Sequence, residues 1–185
     1  MKHARKTSKR TRIVIGGTVA GAVALGTFAV VTANAGSSAT TAPGVEAAGK
    51  NLARSTHLTI EAATKAAQAT LDAAEKENQR VSVAVVDRNG NTVVTLRGDG
   101  AGPQSYESAV KKAYTAVSWN APTSELVKRL QNAPTLKDIP GTLFLGGGAP
   151  VQAGGAPIAG IGVAGAPSGD LDEKFARAGV AALGR

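Results

Sequence analysis

From Thr59 to Asn78, apolar and small side chains recur at helical spacing: Ile60, Ala63, Ala67, Thr70, Leu71 and Ala74. Thr59 stands where an N-cap belongs, so a helix is predicted from there to the neighbourhood of Asn78. The pattern then changes period. Val81–Asp87 is a near-continuous β-branched run, Asp87-Arg88-Asn89-Gly90 is a hairpin turn, and Thr92–Arg97 reads as the partner strand. After a GDGAGP loop, Ser105 or a neighbour caps a second helix running to about Asn120, and a short helix follows Pro122. Residues 132–141, with Pro134 and Pro140, read as a loop. Strand-sized pieces come next, at Thr142–Leu145 and Pro157–Val163, and a last amphipathic helix runs from about Leu171 to Ala182. Helix, two strands, helices, further strands and a helix make an α+β fold, an antiparallel sheet with helices packed on it.

Glycine sharpens the second half. Ten of the 23 glycines fall between Gly141 and Glu173. Gly146-Gly147-Gly148 breaks the apolar run before it, and Gly154-Gly155 signals a hairpin. Gly160 and Gly162 lie two apart in a strand, on one face, which another backbone or a flat ligand can approach closely.

The N-terminus changes how charge is read. Residues 1–12 hold six of the 21 basic residues and no acid; Ile13–Val31 is apolar and small; Ala33-Asn34-Ala35 is an A-x-A cleavage site. Residues 1–35 are therefore expected to be a signal peptide, and the mature protein to be secreted. The formal charge of +8 then falls to +2, with 15 basic residues facing 13 acids. No cluster of Lys and Arg interleaved with aromatics follows, so nucleic acid is not an expected partner. Residues 36–56 read as a flexible leader and residues 57–185 as the domain.

Composition excludes more chemistry than it suggests. There is no cysteine, and His57 is the sole histidine after residue 35, which rules out thiolate sites and a multi-histidine metal centre within one subunit. No Ser-His-Asp set can be argued from one histidine. Gly146-Gly147-Gly148 leads into a strand rather than a helix, so it is no phosphate cradle. The expectation is a binding protein, not an enzyme.

Three segments carry a family resemblance. Gly146–Glu173, with GGG-P at its start and G-I-G-V-A-G-A-P-S-G-D-x-D-E at its end, resembles the GlcG/HbpS family. The strand pair VSVAVVDRNGNTV and the helix ESAVKKAYTAVSW match the same family, and the resemblance covers roughly residues 57 to 185. RGDGAGPQSYESA resembles its secreted, haem-binding, redox-linked branch. The resemblance implies a five-stranded sheet of profilin-like or PAS-like appearance and assembly into homo-oligomers. It also implies haem binding outside the membrane, and modulation of a membrane sensor kinase under redox or iron stress. Cytoplasmic relatives suggest an alternative, a role toward a small metabolite or a corrinoid, and an assembly module without ligand is a third reading.

If haem is the ligand, iron takes His, Met, Cys or Tyr most often. The mature chain offers His57, Tyr106 and Tyr114, with weaker oxygen ligands such as Thr115. The resemblance points to the Tyr114-Thr115 region, although adjacent helical residues lie about 100° apart and cannot both face one ligand. Lys111, Lys112 and Arg97 are candidates for the propionates. Asp72 and Glu75 sit one turn apart on one helix face, a candidate peripheral iron pair that the branch resemblance also implies. Asp170, Asp172 and Glu173 read instead as acidic charge complementing a helix N-terminus.

Overall fold

The computed structural model describes Gly44 and residues 46–184; the expected signal peptide and its cleavage site lie outside the described residues. Residues 48–185 cluster as one unit. Within it, a short 3-10 turn at Gly49–Asn51 precedes an extended, exposed stretch that leads to the first helix.

Helix α1 spans Ile60–Glu75. The Thr59 hydroxyl accepts from the Ala62 N–H at 3.1 Å, as an N-cap should. Asn78, at φ 55°, turns the chain out of the helix; asparagine tolerates this left-handed conformation. The buried face is Ala63, Ala66, Ala67, Thr70 and Ala74, small enough to let α1 lie close on its neighbours.

Four strands form one antiparallel sheet in the order β2-β1-β4-β3: β1 Ser82–Asp87, β2 Thr92–Arg97, β3 Gly148–Ala153 and β4 Ala156–Ala164. Strand β1 is central and covered on both faces, which explains its unbroken β-branched run. Gly154 and Gly155, at φ 57° and 76°, form the β3–β4 turn with the two positive φ values that a type I′ hairpin needs.

Helices cover both faces. Helix α1 and helix α4 (Gly169–Ala182) pack on one, over Val83, Val85, Ile161 and Val163, with Phe175 of α4 buried among them. Helix α2 (Ser105–Trp119) packs on the other, over Ala84, Val86 and Ala164. A short helix α3 (Thr123–Arg129) and a 3-10 turn at Pro134–Asp138 follow α2. Ser105 is the first residue of α2 rather than its cap, because its hydroxyl is turned inward to Gly102 O and the Ser82 hydroxyl.

Two expectations need correction. The sheet has four strands, not five. Thr142–Leu145 is apolar but runs as irregular chain, with the Leu143 N–H satisfied by the Thr115 hydroxyl at 2.8 Å instead of by a neighbouring strand. The second concerns the glycine face. A Cβ at Gly160 would collide with the Ala113 carbonyl oxygen, and one at Gly162 with that of Ala109. The close approach is therefore made by the backbone of α2, and no room for a flat macrocycle remains there.

Candidate functional site

Helix α2 is held to the sheet by its alanine face, and that docking decides which side chains point where. Ala109, Ala113 and Ala116 face inward, so Lys112, at the same helical phase, is carried inward with them. Lys111 and Tyr114, three apart, share the outer side and are partly exposed.

Tyr114 lies against the tips of two glycine turns. A Cβ at Gly90, in the β1–β2 hairpin, would come within 2.8 Å of Tyr114 Cε2, and Gly141 approaches the opposite edge of the ring. The phenolic hydroxyl has no hydrogen-bond partner among the described residues. One turn earlier, Lys111 Nζ pairs with Glu107 Oε1 at 2.7 Å. That contact holds the Glu107 carboxyl below its ordinary pKa, through the hydrogen bond first and the lysine charge second. It is a solvated surface pair, easily exchanged for another anion.

On the far side of the same hairpin, His57 Nδ1 stands 3.8 Å from Asp87 Oδ2, and its Nε2 meets the Ser55 hydroxyl at 2.7 Å. Asp87 is the organising residue of this turn. It accepts from the N–H groups of Asn89 and Asn91 and from the Asn91 side chain. Burial pushes its pKa up, but those hydrogen bonds and the nearby His57 outweigh burial and leave it lowered. The hairpin thus has Tyr114 against its Gly90 tip on one side and His57 beside Asp87 on the other, 57 positions apart in sequence, with Lys111 one turn before Tyr114.

The other sequence-predicted residues fall elsewhere. Thr115 is fully buried; its hydroxyl donates to Lys111 O at 2.7 Å and accepts from Leu143 N. It has no free direction toward a ligand and acts as a clamp between α2 and residues 142–145. Arg97 gives its guanidinium to Ala101 O. Asp72 and Glu75 are both exposed on α1, and Asp72 accepts from Gln68 Nε2 at 2.7 Å. They border different depressions, Asp72 that between α1 and α4, Glu75 that beside Asn78 and Arg80. No group of three or more His, Cys, Asp or Glu is arranged to hold a metal ion among the described residues.

Lys112 is not available to a propionate. It is 2% exposed and Asp172 3%, and Nζ donates to Asp172 Oδ2 at 2.7 Å and to Val163 O at 2.9 Å. Asp172 also accepts from the Ala166 N–H. Burial raises the Asp172 pKa, and the bond and charge of Lys112 only partly counter it. Glu173 is buried too, accepting from the N–H and hydroxyl of Ser124 and from Arg177. Sequence reasoning assigned Asp172 and Glu173 to the helix dipole and missed both roles. The available signal was the phase of Lys112 within an alanine stripe, since a lysine carried inward needs an acid.

Comparison with known proteins agrees with this architecture. A family model described as "Haem degrading protein HbpS-like" matches residues 58–181. The crystal structure of a double mutant of HbpS from Streptomyces reticuli is 76% identical, covering 76% of this chain and 97% of that one, with a TM-score of 0.75. A PduOC–haem complex is 29% identical over 69% of this chain and 95% of that one, with a TM-score of 0.63. An uncharacterized 15.0 kDa protein from Citrobacter freundii is 35% identical over 113 residues, 58% of this chain and 80% of that protein. The chain belongs to the HbpS-like family.

Proposed function

We propose that this protein binds haem on the outer side of α2, where α2 meets the β1–β2 hairpin. The observation that carries the reading is Tyr114: a partly exposed phenol with an unpartnered hydroxyl, beside a lysine and across a hairpin from a histidine. Tyrosine and histidine are both haem-iron ligands, and Lys111 suits a propionate. Thr115 supports the site by fixing the helix to residues 142–145 rather than by touching iron. A relative solved with haem, and the family's own description, support the ligand class.

The mature protein acts outside the membrane as a homo-oligomer. Haem and iron change its shape or assembly, and a membrane sensor kinase ectodomain reads that change. Asp72 and Glu75 form a weak, two-carboxylate iron site on α1, separate from haem. The protein binds and reports and does not turn over substrate. Titration with haemin tests the core. A Soret band is expected to saturate in the wild type, to weaken in Tyr114→Phe and His57→Ala, and to persist when ascorbate is added. Equal titrations in wild type and both variants would remove this site, and bleaching by ascorbate would turn the binder into an enzyme.

A further inference from the structure

The Lys112–Asp172 pair forms part of the wall of a cavity that the haem reading leaves unused. The cavity measures about 310 Å³ and lies between the first turns of α2 and the chain joining β4 to α4. Gln104, Ser108 and Lys112 face it from α2, and Ser168, Gly169 and Asp172 from the other side. None of His57, Lys111, Tyr114 and Thr115 lines it. The joining chain and the first turn of α4 together carry the A-P-S-G-D-x-D-E motif, the most distinctive of the sequence, which no haem contact explains.

The polar groups here exceed what the fold needs. A buried ion pair is weak evidence for stability, since apolar residues of the same volume often hold a fold as well or better. Lys112 has three N–H bonds, and Val163 O and Asp172 Oδ2 take two of them. No third acceptor is present among the described residues. The Ser108 hydroxyl and the Gln104 side-chain amide have no partner among those residues either. Ser168 Oγ accepts from Leu171 N, leaving its own proton free. The Gly169 N–H, first in the 14-residue α4 and on the cavity wall, has no acceptor within the helix. Of these groups the Lys112 and backbone N–H can only donate, and the serine hydroxyls and the Gln104 amide can donate as well as accept.

Charge and size narrow the occupant. Lys112 and Asp172 cancel one another, Glu173 is held by Ser124 and Arg177, and Asp170 is exposed to solvent. A donor-rich cavity without net charge suits a single anionic group. Its volume is at the lower end of ligand pockets, which run from about 300 to 1,000 Å³, so it takes a molecule of a few carbons and no porphyrin. We propose that this cavity binds a small carboxylate, its oxygens received by the third Lys112 N–H and the Ser108 hydroxyl.

Amide shifts of the ¹⁵N-labelled protein test this with three probes: butyrate, its neutral analogue butyramide, and inorganic phosphate. Butyrate is expected to shift the Gly169 and Asp170 amides saturably, and butyramide to bind at least about tenfold more weakly, the loss of one charged hydrogen bond. Ser108→Leu fills the cavity from a helix position outside the ion pair. It should abolish the butyrate response while leaving the haemin titration unchanged. An absent or non-saturable response, an equal response to butyramide, or an unaltered response in Ser108→Leu would overturn the proposal. Phosphate binding as tightly as butyrate would overturn the carboxylate assignment. Loss of haemin binding in Ser108→Leu would show that the two sites are not separate.

Discussion

At the scale of single residues, buried charge and hairpin charge act in opposite senses. Asp172 and Lys112 cost desolvation that their attraction offsets only while both are present. Asp172→Asn or Lys112→Met alone is expected to cost about 3–5 kcal/mol, since each strands a buried charge, and the double variant should recover more than half. Urea unfolding of the four proteins measures this, and additive losses would contradict the pairing. Asp87 differs because its folded pKa is lowered from 3.8. Its stabilising contribution is complete above that value and disappears as pH falls through the lower, folded one. The stability difference between wild type and Asp87→Asn should accordingly shrink below about pH 4, read as converging melting temperatures. For Asp172, with its pKa raised, the contribution runs the other way: present at low pH and lost as pH rises from 3.8 through the folded value.

Helix α2 is the element on which everything else depends, and glycine is what seats it. Gly160→Ala would drive a methyl group into the Ala113 carbonyl, a backbone atom that cannot yield without moving the helix. A loss of about 1–3 kcal/mol or more is expected. Gly154→Ala, in open space but at φ 57°, should cost about 1–2 kcal/mol from the left-handed backbone alone. Thermal melts that ranked Gly154→Ala as the worse would contradict this seating of α2. These elements were largely legible in the sequence. Thr59, the Asp87–Gly90 turn and Gly154-Gly155 are local signals, and local hydrogen bonds decide them. What misled was non-local. Thr142–Leu145 has strand composition, yet its Leu143 N–H found Thr115, 28 residues away. Gly160 and Gly162 announced a close approach without saying by what. Tyr114 and His57 were legible as candidates, but their placement on opposite sides of one hairpin is a property of the packed fold.

For the whole molecule, the expectation is export followed by assembly. A chain without cysteine has no disulfide to add to a core built largely from alanine and valine. Burial between copies would supply what the core lacks. Ile60, Tyr106, Val127, Ile139 and Leu145 are large apolar side chains left exposed on this chain. Light scattering of the mature protein at micromolar concentration should therefore give a mass above that of a dimer, and a monomer would contradict the assembly. N-terminal sequencing of secreted protein should begin at Gly36. The central claim, haem held where α2 meets the β1–β2 hairpin, is tested most directly by the paramagnetism of ferric haem. Added to ¹⁵N-labelled protein, haemin is predicted to broaden the amides of Gly90, Lys111, Tyr114 and Gly141 first, leaving Gly169 and Asp170 sharp. Broadening centred on any other surface, or none at saturating haemin, would contradict the account.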